Sequence, residues 1–245
     1  MSGHNKWAQI KHKKATSDAK RGKLFSKLAR EIAIASQLGS SMQETNPRLR
    51  AAIDRAHSAG VPKQNIERAI TRGTGDAKNI PMEEFLYEAT GPNGLMLLIE
   101  GSTDNKNRTV AEIKHLLSTH GLSFVAPGSV MWNFEKIGVV ELLRSDNIHL
   151  TNEEVEIRLI ECDPKDIQLL DEGWIVETTF ERMEETRQAL LAKMLHIHDT
   201  HHNFKPLSYA NITNEPSQTL AHVIEAIEDH DDVDCVYMNI RDETP

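Results

Sequence analysis

The sign of the charge reverses once along this chain, and it does so across a stretch with no helical or strand period. Residues 1–78 hold 16 Lys and Arg against 6 Asp and Glu, a net of +10. Residues 79–245 hold the remaining 12 against 31, a net of −19, and the two add to the formal −9. At the changeover, Gly73-Thr-Gly-Asp-Ala-Lys-Asn-Ile-Pro81 is punctuated by Gly and Pro and reads as a linker. A chain of 245 residues divided in this way is predicted to form two or three bodies, the first of them basic. A basic body beside acidic ones points to a polyanion partner for the basic end.

Within the basic third, Leu24, Phe25, Leu28, Ile32, Ala35 and Leu38 recur at helical spacing after the cap candidates Thr16, Ser17 and Asp18, predicting a long amphipathic helix that ends at Gly39. Lys20, Lys23, Lys27 and Arg30 fall on one stripe about a third of a turn from the apolar one, so one face can pack while its flank stays positive. Asn46-Pro47 is an N-cap with Pro at the first helical position, and Leu49, Ala52, Ile53 and Ala56 give the second helix its buried face. After Ala59-Gly-Val-Pro62, a third helix has Ile66, Ala69 and Ile70 inward. The three form a small bundle. Ahead of it lies a basic arm in which Lys6, Lys11, His12, Lys13 and Lys14 can follow phosphates, while Trp7 either stacks on a base or anchors the arm. The candidate nucleic-acid residues are these six with Lys20, Arg21, Lys23, Lys27, Arg30, Arg48, Arg50, Lys63, Arg68 and Arg72. A merely solvated surface would mix both signs more evenly, and here positive outnumbers negative by more than two to one.

Beyond the linker, Phe85–Ala89 and Leu95–Glu100 flank Gly91-Pro-Asn-Gly94 as a hairpin. A helix with Val110, Ile113, Leu116 and Leu117 inward closes at Gly121. Its polar lead-in, Thr103, Asp104, Asn105, Asn107 and Arg108, either caps the free N–H groups or holds an anion or partner there. From Val139 the order is strand 139–143, helix 152–162, strands 167–170 and 174–180, helix 181–195 and a strand around 204–212, which is the βαββαβ ferredoxin-like plan. A last helix with Leu220, Val223, Ile224 and Ile227 and a strand over 233–238 fall outside that unit and must complete the layer of residues 84–121. The fold class is therefore multidomain α and α+β. Its predicted domains are the basic bundle 1–78, a discontinuous α+β domain of 79–134 and 205–245, and an inserted ferredoxin-like domain of 135–204.

Several function classes find no support. No apolar run approaches a membrane span, the longest being Leu95–Ile99. The N-terminus has neither a secretory h-region nor a transit-peptide pattern, which leaves a bacterial-type cytosol or a mature organelle form, and a cytoplasmic protein is predicted. Cys162 and Cys235 are far apart and lack CxxC neighbours, so no disulfide framework or zinc site is expected and both are read as core thiols. GxSxG, P-loop, dinucleotide and HExxH signatures are missing, and no catalytic residue, cofactor or metal is assigned. His196, His198, His201 and His202 are read as a solvated turn before a strand, and Glu228, Asp229, Asp231, Asp232 and Asp234 as a solvated acidic edge.

Longer strings carry a resemblance. Gly3-His-Asn-Lys-Trp, Ile10-Lys-His-Lys-Lys, Asp18-x-x-Arg-x-Lys-x-Phe, Asn46-Pro-Arg-Leu-Arg, Ile66-Glu-Arg-Ala-Ile-x-Arg-Gly-Thr-Gly, Thr103-Asp-Asn-x-Asn-Arg-Thr, Pro127-Gly-Ser-Val-x-Trp-x-Phe-Glu and Asp231-Asp-Val-x-x-Val-Tyr resemble the YebC/PmpR family over nearly the full chain. The chain departs from that pattern at Tyr87-Glu-Ala-Thr-Gly-Pro and at Leu122-Ser-Phe-Val-Ala. The resemblance implies three domains, a helical bundle and a ferredoxin-like domain inserted into the second. It also implies a regulator of gene expression, since members are described as probable DNA-binding transcriptional regulators, a mitochondrial relative as a translational activator, and some bacterial members as ribosome-linked factors that relieve stalled translation. Two targets stay open: promoter DNA, read by the second and third helices as a helix-turn-helix with Lys63, Gln64 and Arg68 near base edges, or structured ribosomal RNA, with the acidic domains contacting a protein partner or the ribosome.

Overall fold

The computed structural model describes residues 18–74, 82–210 and 217–241. In chain order the helices and strands are α1 (Asp18–Leu38), α2 (Pro47–Ser58), α3 (Lys63–Thr74), β1 (Glu83–Thr90), β2 (Met96–Thr103), α4 (Lys106–Thr119), β3 (Ser123–Val125), β4 (Phe134–Leu143), α5 (Asn152–Ile160), β5 (Asp166–Leu170), β6 (Gly173–Thr179), α6 (Met183–Ala192), β7 (Asp199–Pro206), α7 (Ser217–Glu228) and β8 (Val233–Met238). The protein is α+β, and the chain divides into two compact units: residues 1–134 together with 206–245, and residues 135–205.

In the first unit, α1 to α3 pack Leu28, Ile32 and Ala35 against Leu49, Ile53, Ala56, Val61 and Ile66. Leu24 and Leu38, placed on the inward stripe by their spacing, are exposed instead. The α1–α2 corner is fixed by Asn46. Its Oδ1 accepts from the Leu49 N–H at 3.1 Å, while its Nδ2 donates to the carbonyls of Ala35 and Ser40 at 2.8 and 2.7 Å. One buried side chain thus starts α2 and satisfies carbonyls at the end of α1, a capping role worth about 1 kcal/mol. α3 lies so close to α1 that a β-carbon at Gly73 would collide with the Ala33 carbonyl.

The rest of this unit is a four-stranded antiparallel sheet in the order β3-β1-β2-β8. α4 and α7 cover one face through Ile113, Leu117, Val223, Ile224 and Ile227, packed on Phe85, Leu97, Ile99, Val233 and Val236. The period-2 alternation of β2 sends Leu98, Glu100 and Ser102 to the other face. β3 was not expected from sequence: three residues after a helix, one of them a serine, give too short an alternation to register as a strand.

The second unit has element order βαββαβ and sheet order β5-β6-β4-β7, with β4 and β5 each antiparallel to β6. Val140, Leu142, Trp174 and Val176 face α5 and α6 through Val155, Leu159 and Leu190. β7 begins at Asp199 and ends at Pro206, earlier than the span 204–212 that its apolar residues suggested. His201 and His202 therefore lie within a strand rather than in a turn before one. Pairing with β4 outweighs the weak strand propensity of His and Asp. α6 is likewise shorter than expected, because Phe180–Arg182 form a separate 3-10 turn.

Candidate nucleic-acid interface

The positive stripe of α1 does not remain an open flank. Lys23 Nζ lies 3.6 Å from the Asp229 carboxylate and 3.3 Å from the Asp229 carbonyl, and Lys27 Nζ donates to the Glu228 carbonyl at 2.6 Å. Arg30 donates to the carbonyls of Asp231 and, at 3.3 Å, Ser102. The three cations thus meet the C-terminal end of α7 and the turn into β8, where free carbonyls and the negative end of the helix dipole favour positive charge.

That turn is the acidic segment read from sequence as a solvated edge, and its centre is buried. Asp232 is only 5% exposed. Its Oδ2 accepts from Thr103 Oγ1 at 3.1 Å, Thr109 Oγ1 at 2.7 Å and the Arg108 guanidinium at 2.8 Å, and its other oxygen lies 3.5 Å from Arg30. Burial alone would raise this carboxyl. The hydrogen bonds from Arg108, Thr109 and Thr103 and the charge of Arg30 outweigh it and hold Asp232 below the ordinary carboxylate value. The approach is close: at Gly101, where the pairing of β2 with β8 skips Asp234, a β-carbon would strike the Asp232 carbonyl.

This arrangement assigns the polar lead-in to α4. Asn105 caps the helix, its Oδ1 accepting from the Arg108 N–H at 3.1 Å. Thr103 accepts from the Asn105 N–H at 2.9 Å, Asp104 pairs with Arg108 at 3.0 Å, and Asn107 is exposed in the first turn. The anion held beside this helix start is the protein's own Asp232.

Asp234, two residues on, is different. Ser102 Oγ stands 3.3 Å from its carboxylate, and desolvation together with the negative charge of Glu31 pushes it up to about 7 against the pull of Lys27 and Arg30.

Other candidates are also engaged within the chain. Arg48 is ion-paired with Glu84, and Arg50 donates to the carbonyls of Gln43 and Glu44 at 2.9 and 3.0 Å, closing the turn before α2. α3 points its cations away from the bundle. Lys63 has an 83% exposed side chain whose contact is a loose pair with Glu67 at 3.9 Å, and Gln64, Arg68 and Arg72 are exposed beyond it. Arg21 is exposed near the start of α1. Lys6, Trp7, Lys11, His12, Lys13 and Lys14 lie outside the described residues, as does the side chain of Lys20.

The structure also brings forward a turn that sequence reading quoted only as a string. Glu88, buried in β1, accepts from the backbone N–H groups of Gly128, Val130 and Met131 at 2.5, 2.6 and 3.1 Å. The turn so held presents Trp132, which is 63% exposed. A glutamate on the exposed parity of a strand gives no sign of such a role; the one available signal was a Trp inside a Gly-Ser-Val turn.

One family model, the TACO1/YebC N-terminal domain, matches residues 5–76, and a second, the TACO1/YebC second and third domain, matches residues 82–240. The chain belongs to the TACO1/YebC family. It is 40% identical over 98% of its length to a protein of Carboxydothermus hydrogenoformans named a probable transcriptional regulatory protein, of which 99% is covered. Equally named relatives from Dictyoglomus turgidum and Thermosipho melanesiensis are 41% and 42% identical over 98% of this chain and 95% and 93% of their own. The crystal structure of a conserved hypothetical protein from Aquifex aeolicus matches with a TM-score of 0.86 at 39% identity, covering 96% of both chains. Among the described residues of this TACO1/YebC family member, no helix is long and apolar enough to cross a membrane.

Proposed function

We propose that the protein is a non-enzymatic, nucleic-acid-binding regulator of gene expression, acting in the cytoplasm without a cofactor, and that α3 with the basic arm forms its phosphate-binding face. The observation that carries this reading is the outward display of Lys63, Gln64, Arg68 and Arg72 on a helix whose opposite side is packed into the bundle. Exposed cations that can reach phosphates supply most of the affinity of a sequence-indifferent contact. The connection Ala59–Pro62 between α2 and α3 is short, with Gly60 at φ +77°, which supports a helix-turn-helix reading in which α3 would enter a major groove. The names of the relatives favour DNA and transcription.

The test is binding of the full chain to duplex DNA and to purified ribosomes across a range of salt. Affinity for duplex that falls steeply with salt and ranks one sequence above others supports a transcription regulator. Tight salt-sensitive binding to ribosomes with weak, indifferent DNA binding supports the translation reading, which the exposed Trp132 favours, since RNA is read at unpaired bases. Failure to bind either refutes the proposal.

A further inference from the structure

Trp132 is unusual in how completely it is fixed for a side chain that faces solvent. Its one polar atom is already satisfied, Nε1 donating to the Ser129 carbonyl at 2.9 Å within its own turn. What the ring offers outward is therefore its π surface, and an exposed indole with no hydrogen bond left to make is suited to stacking. The turn beneath it is rigidly held. Besides the three N–H groups on Glu88, buried Asn133 binds the neighbouring segment: its Nδ2 donates to the Ser208 carbonyl at 2.9 Å, and its Oδ1 accepts from the Ser208 N–H at 2.8 Å and the Ser208 hydroxyl at 2.7 Å. The Leu207 N–H adds a bond to the Asn133 carbonyl at 2.8 Å.

The segment tied on in this way carries a second aromatic. Tyr209 follows Ser208, and the Arg241 guanidinium lies over its ring at 5.0 Å. Asn239 secures that end: its carbonyl accepts from the Ala210 N–H at 2.7 Å, while its side chain binds Met96 and Gly94 at the β1–β2 turn. Three buried polar residues, Glu88, Asn133 and Asn239, thus hold two aromatic rings and an exposed guanidinium on neighbouring segments of one unit. Buried polar groups held by several hydrogen bonds specify one geometry, and their use under a surface turn is explained if the turn must present its rings without reorganisation.

We propose that Trp132, with Tyr209 and Arg241, is a stacking site for an unpaired base of a nucleic acid, the indole receiving the base and the guanidinium the adjoining phosphate. The choice of a nucleic acid over an apolar peptide follows from Arg241, whose guanidinium sets N–H donors over the Tyr209 ring, suited to a phosphate rather than to an apolar side chain. The inference rests on the nucleic-acid reading above and adds to it a ligand that a helix in a duplex groove does not bind.

The experiment uses the full chain with single-stranded oligonucleotides of one length in three forms: ribose, deoxyribose and an abasic backbone that keeps the phosphates. Affinity is read from the anisotropy of a label on the oligonucleotide, and stacking from quenching of tryptophan fluorescence, compared between the wild type and Trp132→Ala. Trp174 is buried and Trp7 is common to both proteins, so the difference between the two reports the exposed indole of Trp132. The site predicts quenching by base-bearing strands and not by the abasic one. It also predicts an approximately tenfold loss of affinity for base-bearing strands in Trp132→Ala, most of it recovered in Trp132→Phe, with the abasic strand bound equally by all three. A preference for ribose names RNA as the source of the base, and equal affinity names the base alone; both outcomes keep the proposal. If base-bearing and abasic strands bind alike and Trp132→Ala changes neither, the stacking site is refuted while nucleic-acid binding stands. If no strand, duplex or ribosome binds, both readings fall together.

Discussion

On α1, Lys23, Lys27 and Arg30 lie against the carbonyls and carboxylates at the turn into β8, whereas on α3, Lys63 and Arg68 stand clear of the bundle. By sequence the two helices look alike: each pairs an apolar stripe with a positive flank. The difference lies in what the second flank meets. α1 is packed on both sides, by α2 and α3 on one and by the acidic turn on the other, so its cations join the bundle to the sheet. α3 packs Ile66 and Ala69 into the bundle, and its Lys63 and Arg68 stay exposed on the other side. Counting cations therefore overstates a binding face when an acidic segment distant in sequence can fold back onto it.

The largest effect is expected at the centre of the joint. Asp232→Ala removes the acceptor of Thr103, Thr109 and Arg108 and the counter-charge of Arg30, leaving buried donors and a guanidinium uncompensated. Loss of one partner from such a buried network costs about 3–5 kcal/mol, to be read from urea denaturation of the full chain. Amide exchange should speed up along α1. A cost below about 1 kcal/mol would mean that the α1 contact is loose and that its stripe is as available as that of α3.

Next in size is the open face itself. Lys63→Ala with Arg68→Ala should lower affinity for duplex or ribosomal RNA by roughly 10- to 100-fold at low salt and flatten the salt dependence by about two phosphate contacts, with little change in melting temperature. Lys27→Ala should do the reverse, altering stability more than binding. If the Lys27 change weakens binding as strongly as the α3 pair, α1 opens to the nucleic acid and the contrast between the two helices fails.

Much of the fold was legible because its signals are local. The Asn46-Pro47 cap, the apolar stripe of α2 and the strand over 233–238 each announce themselves within a dozen residues. The α+β order also followed, since it needs only the periods of successive segments. What did not follow depends on partners remote in sequence. Asp232 looks like any surface aspartate until Thr103, Thr109 and Arg108 arrive from more than 120 residues away, and β3 is a strand because Glu88 and Ala89 pair with it. The same limit applied to the candidate site. Residue type marks all of these cations alike, and only tertiary packing separates the exposed Lys63 and Arg68 from Lys23, Lys27, Arg30, Arg48 and Arg50, which are engaged within the chain.

Proton uptake at the joint gives a smaller, pH-dependent effect. The carboxyl of Asp234, ordinarily 3.8, is pushed up to about 7, facing Lys27, Arg30 and Glu31 of α1 and Glu100 and Ser102 of β2. A carboxyl raised in the folded state favours folding while protonated, so its contribution is full below about pH 4 and declines as pH rises to about 7. The whole shift corresponds to ~4 kcal/mol, and water reaching the partly exposed group reduces this to about 1–2. Asp234→Asn cannot ionise and should therefore gain stability over the wild type between pH 4 and 7, with no further gain above. A flat difference across that range would show that Lys27 and Arg30 already neutralise the joint.

The smallest effect is expected where the comparison is most nearly balanced. Lys23 belongs to the α1 stripe, yet its side chain and that of Asp229 are 45% and 54% exposed, and they meet at 3.6 Å. An ion pair so hydrated gains little over its separate partners, so Lys23→Ala should change stability by less than about 0.5 kcal/mol, with any effect vanishing in high salt. Because this residue is only weakly held, it is the member of the stripe that a phosphate could recruit without breaking the joint. A small loss of nucleic-acid affinity in Lys23→Ala, unaccompanied by loss of stability, would extend the binding face from α3 onto the near end of α1. An unchanged affinity would confine that face to α3 and the basic arm.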